Sequence, residues 1–293
     1  ETTQLPQNRG KLLELFTNYL LREREGLDED ETVSLKSQIA AMAYNVQLEK
    51  KGINIHRELV LEYLSEDMIY KAISANLIEG GNMLRFSHQL LQEYFAALEL
   101  NRAIKHGITA STFWTDENWW ELSGWEDTVL LLTGLYHDNT TPIIHWLQWT
   151  NPEMAARCII QSGAHTPTDV QEKLRAIWLP RLTDIERIPH PKARASIGRA
   201  LGTLNLDDRS GVGLTFENVP DIVWCEVPEG VFLMGSDRHA DTDATNREPE
   251  LHKLSLPTFY VARYPVTYAQ YEAFVSDDGY TNRDYWTKAG WEW

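Results

Sequence analysis

The spacing of apolar residues changes once along the chain, near residue 203, and this change constrains the fold more than any other feature. Before it, apolar residues recur at helical spacing; residues 11–25 carry them at 12, 13, 15, 16, 19 and 20. After it, residues 222–236 alternate like strands around a turn at Pro228-Glu229-Gly230. We therefore expect a multidomain chain, mainly α at first, followed by an α+β domain over residues 212–293.

A short hairpin interrupts the first helical region. Two apolar runs flank Gly80-Gly81, which is a typical hairpin turn. Ser65 is the expected N-cap of the helix that precedes this hairpin. Helices closed by a small hairpin predict a winged-helix module over residues 33–87. Winged helices often bind DNA, but the segment 65–79 carries one lysine and three acidic residues, so we reject DNA binding here.

Residues 108–202 form a predicted helical arm or repeat region, broken at several prolines. Tryptophans crowd this region, and we interpret them as a packed core rather than a binding surface. They are Trp114, Trp119, Trp120, Trp125, Trp146 and Trp149. A glycine-rich, polar linker follows over residues 203–211. The C-terminal strand pattern begins directly after this linker.

The charge balance excludes two classes of partner. The 293 residues carry 43 acidic and 27 basic side chains, a formal net charge of −16. A chain this acidic should repel nucleic acids and anionic membranes. The two cysteines, Cys158 and Cys225, cannot build a disulfide framework and fit a reducing cytoplasm. We assign both of them structural roles, Cys158 in a helix and Cys225 in a strand.

The motifs for common catalytic chemistry are absent from this sequence. It has no phosphate-binding loop, no paired C-x-x-C and no H-E-x-x-H zinc motif. We therefore predict no catalytic residue, no metal ligand and no cofactor within this chain. Asp237, Asp241 and Asp243 lie close together, but their spacing is not that of a calcium loop, and a solvated loop is the better interpretation.

The segment 84–100, LRFSHQLLQEYFAALEL, is the first specific motif. It resembles the end of the winged-helix part of NACHT-type signal-transduction NTPases. The matching residues are Phe86, His88, Gln92, Glu93, Tyr94, Phe95, Ala96 and Ala97. The resemblance implies that residues 1–107 end a NACHT-type switch module. It also implies that His88 contacts the phosphates of bound ADP, and that the full-length protein binds ADP or ATP.

The physical chemistry of His88 is compatible with that role. A histidine at the start of a helix feels the positive end of the helix dipole, which favours the neutral imidazole. Neutral imidazole still donates one N–H to a phosphate oxygen. We expect Ser87 to be the N-cap of this helix. The alternative is a histidine packed under the hairpin.

The second motif covers residues 212–293 and resembles the start of the formylglycine-generating, or sulfatase-modifying, enzyme family, which has a C-type-lectin-like fold. The matching residues, in order, are Pro228, Gly230, Phe232, Met234, Gly235, Glu248, Pro249, Tyr264, Pro265, Val266, Thr267, Tyr271 and Phe274. In that family a cysteine pair holds copper and oxidises a substrate cysteine. The pair lies beyond the matched portion, so we expect this domain to be truncated here and the chain to be a piece of a larger bacterial protein.

These two resemblances lead to one preferred hypothesis and its alternatives. The preferred one is a regulatory and ligand-recognition segment of a NACHT-type signalling ATPase, with the lectin-like domain as sensor. Its partners would be a nucleotide held by an upstream domain, an unknown protein or small-molecule ligand, and further copies in a ligand-induced oligomer. The alternatives are a formylglycine-generating-type copper oxidase of protein cysteine, a non-catalytic variable ligand-binding protein, and a scaffold.

Overall fold

The computed structural model describes residues 8–50, 52–136, 139–162, 166–237, 239–245 and 247–293. It divides into two compact units, Glu1–Leu206 and Asp207–Trp293. The boundary falls within residues 203–211, the predicted linker. Within the described ranges, we find no helix with the length and apolar character needed to cross a bilayer.

The N-terminal unit is mainly helical. In chain order its helical elements are α1 (Arg9–Tyr19), a π-helical turn (Leu20–Arg24), α2 (Glu29–Leu48), α3 (Arg57–Val60), α4 (Glu66–Ser74), α5 (Gln89–Lys105), a 3₁₀ turn (Ala110–Thr112), α6 (Glu126–Leu135), α7 (Thr141–Leu147), α8 (Pro152–Ser162), α9 (Thr168–Thr183) and α10 (Pro191–Thr203). Helix α5 packs against both α2 and α6, and α10 packs against both α8 and α9.

The aromatic face of α5 forms the centre of this core. Tyr94 and Phe95 are fully buried, and their ring centroids lie 5.2 Å apart in an edge-to-face arrangement. The buried Thr17 hydroxyl of α1 donates to the Tyr94 hydroxyl at 3.3 Å. Burying a large apolar side chain contributes roughly 1.5–3 kcal/mol, so this face fixes α5 between its neighbours.

A small antiparallel sheet lies just before α5. Its strands are β1 (Ile55–His56), β2 (Ile78–Gly80) and β3 (Met83–Phe86), in the order β1-β3-β2. The turn between β2 and β3 confirms the hairpin predicted at Gly80-Gly81. Gly80 has a φ of +118°, and a Cβ there would lie 2.1 Å from the carbonyl oxygen of Met83. The assignment of residues 33–87 to a winged helix stays a prediction.

The tryptophans of the predicted arm are mostly buried, with one exception. Trp114 and Trp178 are fully buried, and the Trp178 indole N–H donates to the carbonyl oxygen of Gln148 at 2.7 Å. Trp149, by contrast, is 59% exposed. Our interpretation of this cluster as packed core is therefore wrong for Trp149, which lies in the turn after α7.

The C-terminal unit mixes short strands and helices, in agreement with the predicted α+β class. Its elements are β4 (Trp224–Val227), β5 (Gly230–Met234), β6 (His252–Leu256), β7 (Phe259–Ala262), α11 (Tyr268–Ser276), a 3₁₀ turn (Arg283–Tyr285) and α12 (Lys288–Glu292). Strand β4 pairs antiparallel with β7, and β5 pairs antiparallel with β6. The two strands flanking the turn at Pro228-Glu229-Gly230 therefore pair with later strands rather than with each other.

Candidate functional site

His88 is the N-cap of α5, which corrects the prediction that Ser87 caps this helix. His88 has extended backbone angles, with φ −148° and ψ 140°, and its Nδ1 accepts a hydrogen bond from the Leu90 N–H at 3.0 Å. The N–H of Ser87 donates to the carbonyl oxygen of Leu77 at 3.1 Å, which continues the pairing of β2 with β3 by one residue. The cap thus falls one residue later than predicted.

The capping bond fixes the tautomer of the neutral His88 ring. Because Nδ1 accepts a hydrogen bond, the proton of the neutral ring lies on Nε2. The side chain is exposed, so the alternative of a histidine packed under the hairpin is wrong. Nε2–H is therefore a donor on the protein surface, at the N-terminal end of a 17-residue helix.

His88 lines an open groove of about 710 Å³ between the end of α2, the hairpin and the start of α5. The groove also contains two cationic side chains, Lys50 and Arg85, both exposed. The Arg85 guanidinium pairs with Glu79 across the hairpin at 2.6 Å. One cation is thus partly neutralised, and the groove presents amide and imidazole donors beside a mixed set of charges.

Glu93 is the acidic member of the groove. Burial raises the pKa of its carboxyl group, and nearby Asp127 acts in the same direction. A hydrogen bond from Gln89, 2.7 Å long, and the neighbouring His88 oppose this rise. Glu93 is half-buried on α5. The hydrogen bond between Gln89 and Glu93 and the cap formed by His88 give these polar residues structural roles in α5.

The cysteines do not form a reactive centre. Cys158 is fully buried in α8, as predicted, and burial raises the pKa of its thiol to about 12. Cys225 lies in β4, as predicted, but it is exposed rather than packed. Within the described ranges, we find no cluster of three or more histidine, cysteine or acidic side chains able to hold a metal ion.

The acidic loop after β5 uses its carboxylates to hold its own turns. Asp237 accepts a hydrogen bond from the His239 N–H at 2.9 Å, and Asp241 accepts one from the Asp243 N–H at 3.0 Å. These are local turns in which a carboxylate bonds the backbone two residues on. The geometry agrees with the interpretation of this stretch as a solvated loop.

Two residues of the C-terminal motif, Gly235 and Glu248, have structural roles. Gly235 has a φ of +95°, and a Cβ there would lie 2.5 Å from the carbonyl oxygen of Pro249. Glu248 accepts hydrogen bonds from the Thr245 N–H and hydroxyl, both at 3.0 Å, and from the Ser236 hydroxyl at 2.5 Å. Gly235 and Glu248 therefore join the end of β5 to the approach to β6.

Gln270 is a structural residue that the sequence reasoning missed. Thr267 caps α11, and Gln270 completes a capping box with it. The Gln270 side chain is 3% exposed, and its amide donates to the carbonyl oxygens of Asp221 at 2.6 Å and Gly211 at 3.3 Å. The T-x-x-Q spacing is the sequence pattern that could have revealed it.

Comparison with known proteins identifies the C-terminal part of the chain. Residues 214–293 match the family model of the sulfatase-modifying factor enzyme 1-like domain. This match agrees with the resemblance stated for the second motif, and it covers residues 214–293 only. Nothing in the comparisons supports the NACHT-type resemblance of residues 1–107.

Three curated relatives are similar to a short part of this chain. Hercynine oxygenase from Mycolicibacterium thermoresistibile is 39% identical over 60 residues, which cover 20% of this chain and 14% of the relative. The hercynine oxygenase of Mycolicibacterium smegmatis is 34% identical over 65 residues, 22% of this chain and 15% of the relative. That of Mycobacterium tuberculosis is 32% identical over 61 residues, 21% and 14% respectively. The chain therefore spans about a seventh of the length of these relatives.

Proposed function

We propose that this chain belongs to a protein whose sulfatase-modifying-factor-like domain oxidises a sulfur-containing substrate, with a protein cysteine thiol as the first candidate. The observation that carries this proposal is the family match over residues 214–293. Relatives that match the same chain are named as oxygenases, which supports oxidation by molecular oxygen as the reaction class. In such a reaction the thiol is oxidised and oxygen is reduced.

The described residues do not fit the copper centre that this family implies. Cys225 is exposed, and no second cysteine of its unit lies in the described ranges. No cluster of metal-ligating side chains occurs there either. We therefore assign no reaction step to residues of this chain. What these residues do is build the β4–β7 and β5–β6 pairs and the capped start of α11.

Oxygen uptake tests this proposal. The natural protein that carries this chain would be incubated with a cysteine-containing peptide and with the same peptide bearing serine in place of cysteine. We expect oxygen uptake and a mass change of the cysteine peptide, with none for the serine peptide. Binding of either peptide without oxygen uptake would instead favour a non-catalytic ligand-binding protein.

A second candidate function is the regulatory, nucleotide-sensing segment of a NACHT-type signalling ATPase. Specific support comes from His88, whose Nε2–H projects from the N-cap of α5 beside the groove that holds Lys50. A helix N-terminus with free N–H groups favours phosphate oxygens. In this account His88 helps to hold ADP in the resting state, and ligand capture by the C-terminal domain releases it, which requires different affinities in the two states.

Two substitutions of His88 separate ligand binding from helix capping. His88→Ala removes both the ring and the cap, whereas His88→Asn keeps a side-chain oxygen for the Leu90 N–H. We expect the natural protein to lose co-purified ADP with both variants. Unchanged ADP retention in both would contradict the role of His88. Loss with Ala but full retention with Asn would assign the residue to capping alone.

A further inference from the structure

Arg181, near the C-terminal end of α9, has an unusual environment for a half-buried arginine. One of its N–H groups donates to the carbonyl oxygen of Trp149 at 2.9 Å. Its guanidinium lies 5.7 Å from the ring centroid of the buried Trp119. Within the described ranges, no ion pair joins Arg181 to a carboxylate. The guanidinium is therefore held in place by a carbonyl and an indole, with further N–H donors left over.

Other arginines of this chain show the contrast. Hydrogen bonds donated to carboxylates raise the pKa of Arg199, which pairs with Glu153, and of Arg209, which pairs with Asp207. The pKa of Arg181 is lowered instead, first by burial and then by the neighbouring Arg187. Taking a cation out of water without a counter-charge costs free energy. A carboxylate arriving at Arg181 would recover part of that cost.

The residue whose carbonyl oxygen binds this cation is an exposed tryptophan. Trp149, whose carbonyl oxygen holds Arg181, exposes 59% of its side chain. Tryptophan and arginine are enriched among the few residues that supply most of the binding energy in protein–protein interfaces. The guanidinium also recognises a carboxylate with two parallel hydrogen bonds, which fixes the orientation of the partner.

From this arrangement we infer that Arg181 and Trp149 form a docking site for a peptide segment of another protein. The segment presents a carboxylate to Arg181 and an adjacent apolar side chain to Trp149. This site is independent of the proposed oxidation chemistry.

The surrounding charges argue against a polyanion as the partner. The turn that carries Trp119 also carries Asp116, Glu117 and Glu121, all exposed. A nucleic acid would bring many phosphates toward these acids and toward a chain of net charge −16. A peptide with a single carboxylate meets less of this repulsion than a nucleic acid does. The local charges therefore favour a protein partner over a nucleic acid.

Indole N–H resonances provide a direct test in the chain of residues 1–293. The resonance of Trp149 is assigned by its loss in Trp149→Phe. The probe is acetyl-Leu-Asp-Leu-amide, and its uncharged control is acetyl-Leu-Asn-Leu-amide. We expect a saturable shift of the Trp149 resonance with the aspartate peptide, and binding roughly tenfold weaker with the asparagine peptide, the size of one lost charge-assisted hydrogen bond.

Variants decide whether Arg181 reads the carboxylate. In Arg181→Gln the two peptides should bind equally weakly, whereas Arg187→Gln, which removes an exposed neighbouring charge, should keep the preference for aspartate. Trp149→Ala changes an exposed side chain, so it tests the apolar contact without disturbing the core. There the Trp119 resonance reports binding, and we expect weaker binding of both peptides.

Three results would overturn this inference. The first is equal binding of both peptides by the wild-type chain, and the second is no saturable shift with either. The third is a stronger shift with a single-stranded DNA oligonucleotide than with the aspartate peptide, which would make a nucleic acid the better partner.

Discussion

The two units of this chain bury their apolar residues to different extents. In the N-terminal unit, long apolar side chains such as Leu21, Ile39 and Trp178 are fully buried. In the C-terminal unit, β4, β5 and β6 expose every residue, and Trp224 is 59% exposed. The ladders and caps of the C-terminal unit are nevertheless well formed.

In this chain, regular backbone hydrogen bonding therefore occurs both where apolar side chains are buried and where they are exposed. Strand pairing and the capping box at Thr267 need only a few neighbouring groups. Burial of apolar surface supplies most of the stabilisation of a folded domain. In the chain of residues 1–293, we therefore expect global stability to reside in the N-terminal unit, and the C-terminal unit to exchange its amide hydrogens at much lower cost.

The largest expected effect comes from deleting a buried tryptophan. Trp178→Ala should lower the free energy of unfolding by about 3–5 kcal/mol, because it empties a fully buried site and leaves the Gln148 carbonyl unpaired. Its matched control, Trp224→Ala, should change it by no more than about 0.5 kcal/mol. Urea unfolding followed by far-ultraviolet circular dichroism measures both. Equal losses would break the contrast between the units.

A pair of glycine substitutions sharpens the same comparison. A Cβ at Gly10 of α1 would lie 2.3 Å from the carbonyl oxygen of Leu131 in α6, so Gly10→Ala should cost about 1–3 kcal/mol of global stability by forcing two helices apart. Gly235→Ala is just as strained locally, because of its positive φ and its contact with Pro249. We expect it to raise hydrogen exchange only around residues 235–250. A global loss in Gly235→Ala would show that the units unfold together.

A smaller effect should follow pH, through Lys36 of the N-terminal unit. Burial lowers the pKa of Lys36 from 10.5 to about 8, with its Nζ bonded to Asn18 at 2.8 Å. Between pH 8 and 10.5 Lys36 is therefore largely protonated in the unfolded chain and largely neutral in the folded one. Because the unfolded state binds more protons there, this residue makes stability rise with pH from about 8 toward 10.5. The rise should be roughly 1–3 kcal/mol.

Lys36→Met isolates this contribution. Cys158 and Tyr44 act in the opposite direction at high pH, because burial raises the pKa of each in the folded state. The difference in unfolding free energy between wild type and Lys36→Met removes these shared terms. That difference should grow in favour of the wild type as the pH rises. A constant difference would show that Lys36 stays protonated in the folded chain.

Sequence patterns predicted local features well, and missed those set by distant contacts. Ser65 is an N-cap as predicted, because a cap depends on backbone groups two or three residues away. His88 caps α5 in place of Ser87, whose backbone N–H is bonded to Leu77, a residue outside the local pattern. The exposure of Trp149 was likewise hidden, because neighbouring tryptophans in the same pattern are buried.

Prediction from sequence has the same limit in the C-terminal domain. The family of residues 214–293 was predictable because many motif residues recur in a fixed order. The pairing of β4 with β7 was not, because it joins residues more than 30 positions apart. Gln270 combines both cases, since its cap is local while its bonds to Gly211 and Asp221 are not.

The most direct test of the account is thiol-dependent oxygen uptake by the natural protein, measured for wild type, Gln270→Leu and His88→Ala. Gln270→Leu removes the amide that holds the start of α11 to Gly211 and Asp221, so we predict a strong loss of uptake. His88→Ala should leave the uptake unchanged, because His88 lies in the other unit. Absence of thiol-dependent uptake in the wild type, or its loss in His88→Ala alone, would contradict the assignment of the chemistry to the C-terminal domain.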